Sequence, residues 1–204
     1  MTAISPLAQL LVEQIQKDGP LTFRHFMELA LYHPEWGYYR RGRDPFGIRG
    51  DYFTAEQIQP AFGLLIAQYV SCVWRKLGEP ADFAVVELGA GRREMEPFLS
   101  RWNYLGIEVN DELPGELSGI VLANEFFDAL PVEVAVRLAG EWRLRRVGWD
   151  GKRFVWVAAE KAPAQLEAYL QTFFPQAPDG QVIELCLDAV KWIERVGQML
   201  RAGC

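Results

Sequence analysis

The sequence predicts an α/β fold with a parallel sheet, and two observations lead to this prediction. From residue 83 onward, short continuous apolar runs alternate with helical segments, as they do when parallel strands are buried on both faces. The first run is followed at once by Gly89 and Gly91, which favour a sharp turn from strand into helix. Right-handed crossovers bring the carboxyl ends of such strands to one edge of the sheet, where ligands bind in open α/β folds.

Three strands of this sheet are predicted, over residues 83–88, 104–109 and 120–123, with a short helix over 92–101 after the first. Only eleven residues separate Glu108 from Ile120, which is too few for a full crossover helix and a further strand.

Residues 1–80 predict an N-terminal helical segment. Ser5 and Pro6 form a typical helix start, and Gly19 is a typical stop. A second helix is predicted over residues 22–31. It ends where His33 precedes a proline, because that position is pushed out of the helical region.

The segment continues with an aromatic and basic loop over residues 33–53. Loops of this length are usually functional lids or disordered, and we interpret this one as a lid. Thr54 and Gln57 then have the spacing of a capping box, which predicts the start of a long amphipathic helix that reaches about residue 77.

Residues 81–204 predict a partial domain that is interrupted by antiparallel strands within residues 132–159. These strands are expected over 132–138, 142–149 and 153–157, and Asp150 with Gly151 favours a two-residue hairpin between the last two. A helix over 164–173, a strand over 181–185 and a helix over 188–200 follow.

Length and charge exclude some functions. The 204 residues are enough for one sizeable core, and half of them are apolar. The net charge of −6 argues against a general nucleic-acid binder, because phosphate recognition requires a basic surface. It permits a basic protein partner. The oligomeric state cannot be predicted.

Cysteine usage and hydropathy predict a cytoplasmic location without membrane insertion. Cys72, Cys186 and Cys204 have no recognisable spacing, which favours reduced thiols. No apolar stretch approaches the roughly 18 residues of a membrane span. The first 17 residues resemble neither a signal nor a transit peptide.

A cofactor site is predicted around the glycine turn. Gly89 and Gly91 let a ligand approach the backbone closely, and Glu87 lies just before them. Glu108 ends the next strand, where an acidic residue can bind a ribose diol. A tight structural turn and a solvated strand-end carboxylate are the alternative interpretations of these residues.

The residue types favour S-adenosylmethionine over a dinucleotide as the cofactor. The dinucleotide fingerprint requires a third glycine where this chain has Glu94, and a carboxylate there would repel a pyrophosphate. S-adenosylmethionine has no phosphate, and its amino and sulfonium groups are cationic. Nearby acids therefore favour its binding.

A substrate site is predicted directly after the third strand. Asn124, Glu125 and Asp128 follow it, interleaved with Phe126 and Phe127. Two carboxylates can grip a planar guanidinium in bidentate fashion and align one nitrogen for attack on a methyl group, and the rings can add cation–π contact. We assign Glu125 and Asp128 to this clamp. Asn124 is placed at the junction of cofactor and substrate.

Structural interpretations of the same residues stay open. The two phenylalanines are typical of a core, and the two acids could stabilise a helix dipole instead. His33 and Tyr38 are candidate substrate contacts because loop residues often carry function. Asp51 is a further candidate, with a turn cap as its alternative. The two histidines and three cysteines have no metal-ligand spacing, so no metal site is predicted.

Four motifs in order resemble one family, the S-adenosylmethionine-dependent methyltransferases related to the mitochondrial complex I assembly factor, or MidA family. They are Leu21-Thr-Phe-x-x-Phe-Met-Glu-Leu-Ala-Leu-Tyr-His-Pro-Glu-Trp-Gly-Tyr-Tyr39, Gly50-Asp-Tyr-Phe-Thr54, Glu87-x-Gly-Ala-Gly-Arg92 and Asn124-Glu-Phe-Phe-Asp-Ala-Leu-Pro-Val132. The resemblance implies a class I (Rossmann-like) methyltransferase fold with an added N-terminal segment. By analogy, it also implies methylation of a protein arginine.

The chain departs from the family pattern at three places. Arg93 stands where the family usually has a third glycine, the segment 109–119 is short, and the chain ends before further sheet strands. The expected sheet is therefore incomplete at its C-terminus. A non-catalytic binding or assembly protein and a small-molecule methyltransferase are the alternative functions.

Overall fold

The structure is a computed structural model that describes residues 4–40, 42, 51 and 60–204, without the side chains of residues 158 and 159. The chain divides into two compact units, and each unit contains two separate stretches of sequence. The first unit is Met1–Arg43 with Leu130–Leu187, and the second is Asp44–Ala129 with Asp188–Cys204. The sequence predicted instead a division at residue 80. The difference arises because the antiparallel strands pair with an N-terminal strand.

The helices and strands follow one another along the described chain in this order: α1 (Pro6–Asp18), β1 (Leu21–Thr22), α2 (Phe23–Tyr32), α3 (Pro60–Lys76), β2 (Ala84–Leu88), α4 (Glu96–Leu99), β3 (Asn103–Ile107), β4 (Leu117–Ala123), a 3-10 turn (Phe127–Ala129), β5 (Glu133–Leu138), β6 (Glu141–Trp149), β7 (Phe154–Lys161), α5 (Ala164–Phe173), β8 (Val182–Leu185), α6 (Leu187–Met199) and β9 (Leu200–Gly203).

The N-terminal helices begin where the sequence predicted. The Ser5 hydroxyl caps α1 by accepting a hydrogen bond from the Ala8 backbone N–H at 3.2 Å. The Thr22 hydroxyl caps α2 in the same way, accepting from the His25 backbone N–H at 3.1 Å. The capping box predicted at residues 54–57 lies outside the described residues.

The first unit contains a five-stranded antiparallel sheet. β6 pairs with β1 and β5 along one edge and with β7 along the other, and β8 pairs with the far edge of β5. A buried cluster that includes Trp142, Leu144 and Leu185 packs against Leu166 and Leu170 of α5. The predicted antiparallel strands are thus confirmed, but they belong to a larger sheet than a hairpin.

The connection between β6 and β7 differs from the two-residue hairpin that the sequence predicted. Trp149 pairs with Phe154, so the loop has four residues. The Asp150 carboxylate accepts hydrogen bonds from the backbone N–H groups of Lys152 and Arg153 at 2.8 and 2.9 Å. These two bonds hold the longer turn and lower the pKa of Asp150.

The second unit contains a four-stranded parallel sheet in the order β3-β2-β4-β9. Its core is a cluster of buried side chains from the sheet and from α3 and α4: Val70, Phe83, Val85, Met95, Leu99 and Ile120. The prediction of parallel strands is confirmed. The sequence did not predict β9, which pairs with β4.

The helix predicted over residues 92–101 is reduced to the four residues of α4. Arg93 has a φ of 57°, a left-handed conformation that cannot continue a right-handed helix. Pro97 then lies in the first turn of α4, where a proline is tolerated. Among the residues that the structure describes, no helix is long and apolar enough to span a membrane.

Gly119 is required for the pairing of β4 with β2. A Cβ atom at this position would lie 1.8 Å from the backbone oxygen of Ala84. We expect Gly119→Ala to lower the free energy of unfolding by about 3 kcal/mol or more, because backbone atoms cannot move aside as a side chain can. Urea denaturation followed by circular dichroism measures this change.

Gly115→Ala is the matched control, since a Cβ atom at Gly115 would have no neighbour within 4 Å. Its effect should stay within about 0.5 kcal/mol. Equal stability of the two variants would contradict the close approach of β2 and β4 at Gly119.

Candidate active site

The candidate site lies at the carboxyl edge of the parallel sheet. Leu88, the last residue of β2, pairs with Ile107 of β3 on one side and with Ala123 of β4 on the other. The three strands therefore end at the same level. The glycine turn, Glu108 and Asn124 consequently leave the sheet from adjacent strand ends, as the sequence predicted for parallel strands.

The glycine turn holds the Glu108 carboxylate at the end of β3. Gly89 and Gly91 have positive φ angles of 70° and 50°, which glycine adopts without steric cost. The Gly91 N–H donates to Glu108 Oε1 at 2.7 Å. The Glu108 backbone N–H in turn donates to the Asp111 carboxylate at 2.8 Å. The turn and the acid are thus fixed as one hydrogen-bonded arrangement.

Arg93 occupies the position of the family's third glycine, and its backbone shows why a glycine suits that position. Its φ of 57° lies in the left-handed region, which is unfavourable for a side chain. The guanidinium lies beside β3, with Nε 3.2 Å from the position that a Cβ atom of Gly106 would occupy. Its Nη1 lies 3.8 Å from a carboxylate oxygen of Glu96.

Glu87 is buried, with 6% of its surface exposed. No other charged or polar residue in the described part of the chain is buried to this degree. The Tyr104 hydroxyl on β3 donates a hydrogen bond to its Oε2. Burial raises the pKa of Tyr104, and the hydrogen bond to Glu87 raises that pKa further. The hydroxyl therefore remains a donor throughout the neutral pH range.

The acidic and aromatic motif after β4 begins with a bend at Asn124 and Glu125. Glu125 is exposed and has a φ of 49°, another left-handed residue that is not glycine. Asp128 is exposed on the 3-10 turn, and Asn124 is half-buried. The ring of Phe126 is buried and meets the rings of Phe127 and Trp192 edge-on, at centroid distances of 5.3 and 5.1 Å. Phe126 is thus a packing residue.

Phe126 also connects the two predicted sites. A Cβ atom at Gly89 would lie 2.8 Å from Cδ2 of the Phe126 ring, so this ring packs directly on the glycine turn. The residues predicted for the cofactor and those predicted for the substrate are therefore neighbours within one unit. This contact could not be read from the sequence, because 36 residues separate the two positions.

Two of the predicted substrate contacts, His33 and Tyr38, belong to the first unit, whereas the sheet edge belongs to the second. His33 Nδ1 accepts hydrogen bonds from the backbone N–H groups of Glu35 and Trp36 at 3.3 and 3.2 Å, and its ring stacks on Trp36. The Tyr38 backbone N–H donates to the Ala30 carbonyl at 2.9 Å. These bonds stabilise local turns. Asp51, the third predicted contact, is exposed in the second unit.

Sequence reasoning missed Tyr104, Asp111 and Trp192. Tyr104 could not have been found from strand alternation alone, because its partner Glu87 lies on another strand and the register decides which side chains meet. Trp192 lies on a helix whose partner in the fold is not evident from its pattern. Within the described residues, no group of three or more histidine, cysteine or acidic side chains could hold a metal ion.

The fold and this sheet edge define a class I methyltransferase arrangement, and the comparisons agree. Residues 94–204, more than half of the chain, match the model of a family described as "Putative S-adenosyl-L-methionine-dependent methyltransferase". The chain belongs to this family. The resemblance inferred from the four motifs is thereby confirmed.

Curated relatives carry a more specific name. The chain is 30% identical to the Drosophila melanogaster protein arginine methyltransferase NDUFAF7 homolog, mitochondrial, over 67% of this chain and 43% of that protein. It is 27% identical to the Homo sapiens protein arginine methyltransferase NDUFAF7, mitochondrial, over 97% of this chain and 57% of that protein. The chain thus spans roughly half the length of these relatives.

A solved structure shares the fold. The crystal structure of a Burkholderia thailandensis protein bound to S-adenosyl-homocysteine superimposes with a TM-score of 0.79 at 26% identity. It covers 98% of this chain, which corresponds to 63% of that protein. The predicted Rossmann-like methyltransferase fold is confirmed.

The cytoplasmic location expected from the sequence is wrong. The Drosophila and human relatives are both named as mitochondrial proteins, which contradicts it. The expectation rested on cysteine usage and on the first 17 residues, and neither feature is specific for one compartment.

The contact between Phe126 and the glycine turn predicts an energetic coupling. Gly89→Ala places a methyl group at a positive φ and against the ring, so we expect it to lower the free energy of unfolding by about 2 kcal/mol. In a Phe126→Leu background this cost should fall by about 1 kcal/mol, because the obstructing ring is gone. Denaturation of both single variants and the double variant measures the coupling.

Gly91→Ala, measured alone and together with Phe126→Leu, is the matched control. Its φ is 50°, but a new Cβ atom would meet only the Gly89 carbonyl oxygen, at 3.9 Å. Its cost should be about 1 kcal/mol and should not depend on Phe126. If both glycine substitutions were additive with Phe126→Leu, the ring would not pack on Gly89.

Proposed function

We propose that this protein transfers a methyl group from S-adenosylmethionine to an arginine side chain of a protein partner. The observation that carries the proposal is the packing of Phe126 on Gly89, which makes the glycine turn and the acidic motif neighbours. The names of the relatives support the arginine substrate. The S-adenosyl-homocysteine bound by the Burkholderia protein supports the cofactor.

The residues at the sheet edge fit this cofactor. Gly91 is exposed and has no side chain, so a ligand can approach the backbone of the turn there. Glu108 would hold the ribose hydroxyls, since its carboxylate is already oriented by the Gly91 N–H. Glu87 would attract the ammonium group, and Asn124 lies between this site and the acceptor motif. The charge of Arg93 is offset by Glu96.

The acceptor motif would bind and orient the substrate. The cofactor, when bound, supplies an electrophilic methyl group on a sulfonium. Glu125 and Asp128 are exposed, so a guanidinium from another protein can reach both carboxylates. Bidentate pairing fixes the plane of the guanidinium and leaves one nitrogen facing the methyl group. Phe127 is half-buried beside them and can contact the cation with its ring.

Cofactor binding is the first test. We expect S-adenosyl-homocysteine to bind the wild-type chain and Glu108→Ala to bind it at least tenfold more weakly, because about 1.4 kcal/mol or more of hydrogen bonding is lost. Isothermal titration calorimetry measures both. Glu112→Ala is the control, as this residue is exposed on the same segment. Absence of heat with the wild type would favour the non-catalytic binding protein.

The acceptor clamp is tested separately. Glu125→Gln and Asp128→Asn should each lower methyl transfer to arginine-containing peptides by about 100-fold, because a misaligned nitrogen reacts slowly. Their affinity for S-adenosyl-homocysteine should stay within about threefold of the wild type. Transfer of radioactive methyl groups measures the rate, with Glu112→Gln as control. Unchanged transfer in both variants would eliminate the clamp. Methylation of small molecules alone would support the alternative of a small-molecule methyltransferase.

A further inference from the structure

We propose that Tyr104 is a positioning residue that holds the Glu87 carboxylate ready for the cationic ammonium group of the cofactor. This inference rests on the proposed function, and Tyr104 lies outside the four motifs that resemble the family. Tyr104 would not contact the cofactor itself. It would act through Glu87, by donating the hydrogen bond that favours the ionised carboxylate.

The strand register brings the two groups together. Glu87 of β2 pairs with Gly106 of β3, and Tyr104 precedes Gly106 by two residues. Tyr104, Gly106 and Glu87 therefore share one face of the sheet. The Tyr104 ring extends along β3 toward the strand end, and its hydroxyl donates to Glu87 Oε2.

Gly106 lies beside the Tyr104 hydroxyl. A Cβ atom at Gly106 would lie 3.5 Å from the hydroxyl, which is an ordinary contact, and 2.8 Å from Cβ of Ala90. The absence of a side chain at Gly106 therefore lets Ala90 of the glycine turn approach β3 next to the hydroxyl.

The burial of Glu87 makes its hydrogen bond with Tyr104 important. Glu87 is 6% exposed, and a carboxylate removed from water remains ionised only if donors replace the lost hydration. Two further charged groups act on Tyr104, namely Arg93 from the glycine turn and Glu96 from α4. Arg93 lowers the pKa of Tyr104 and Glu96 raises it, and the two side chains lie 3.8 Å apart.

The consequence is a specific dependence on pH. A carboxylate that loses a donor takes up a proton more readily, and a protonated Glu87 no longer attracts an ammonium group. We therefore expect Tyr104→Phe to bind S-adenosyl-homocysteine within about threefold of the wild type at pH 8. At pH 5.5 its affinity should be about tenfold below that of the wild type.

Calorimetric titration between pH 5.5 and 8 measures this effect in Tyr104→Phe, in a control variant, and in Glu87→Gln with and without Tyr104→Phe. Tyr69→Phe is the matched control, because it removes an exposed hydroxyl of the same unit that contacts Cys204 and should leave the profile unchanged. In a Glu87→Gln background, Tyr104→Phe should add no further pH dependence, since no carboxylate remains at position 87.

Every result of this titration supports or overturns the positioning role of Tyr104. If the wild type binds the ligand and Tyr104→Phe shows the wild-type profile, the positioning role is wrong while the proposed function stands. A uniform loss of affinity at every pH, or a variant that does not fold, would make the hydroxyl merely structural and would also overturn it. If the wild type binds no ligand at any pH, the proposed function fails and this inference fails with it.

Discussion

The parallel pairing of β2 with β4 is the constraint on which the site depends. Gly119 has no side chain where β4 approaches the Ala84 carbonyl, so the two strands can pair throughout their length. Their register places Leu88 opposite Ala123, and the segments that follow both strands begin side by side. Any other register would separate the glycine turn from the acidic motif, because the strands would end at different levels.

Two of the four described non-glycine residues with a left-handed backbone, Arg93 and Glu125, lie at this edge of the sheet. Gly89 and Gly91 adopt left-handed conformations freely, whereas Arg93 and Glu125 do so at a cost of about 1–2 kcal/mol each. Strained residues persist only where the surrounding structure fixes them. The buried ring of Phe126 supplies that constraint for Glu125, since it is held by both Gly89 and Trp192. The left-handed conformation of Glu125 is thus supported by the packing of the adjacent ring.

The sequence predicted those features that depend on local pattern. The buried strands were found because short continuous apolar runs are typical of parallel strands that are covered on both faces, and the helix at Pro6–Asp18 was found because Ser5 and Gly19 mark its ends. β9 was missed, because Leu200–Gly203 has no strand pattern. It is ordered by hydrogen bonds with β4, in which the Cys204 N–H donates to Gly119 at 3.1 Å and the Val121 N–H donates to Cys204 at 2.9 Å.

The site could be predicted only in part, because the sequence shows local patterns and does not show which side chains meet across strands. Glu87, Gly89 and Glu108 were found because they lie at fixed distances from strand ends, and their roles as ligands stay predictions. The role of Tyr104 depends on strand register, which a single sequence does not reveal. The family resemblance identified the acidic motif, but it could not show that Phe126 packs on the glycine turn.

The carboxylates of the site fall into two groups that suit two different ligands. Glu87 and Glu108 are held by Tyr104 and by the Gly91 N–H, so their orientation is fixed before any ligand arrives. Such preorganisation lowers the entropic cost of binding a small cofactor of constant shape. Glu125 and Asp128 are exposed, as carboxylates must be if a side chain of another protein is to reach them. Exposed ion pairs are weak, so precise alignment has to come from the backbone that carries the acids. The packed bend after β4 would provide that alignment and would therefore link the fold to the proposed chemistry.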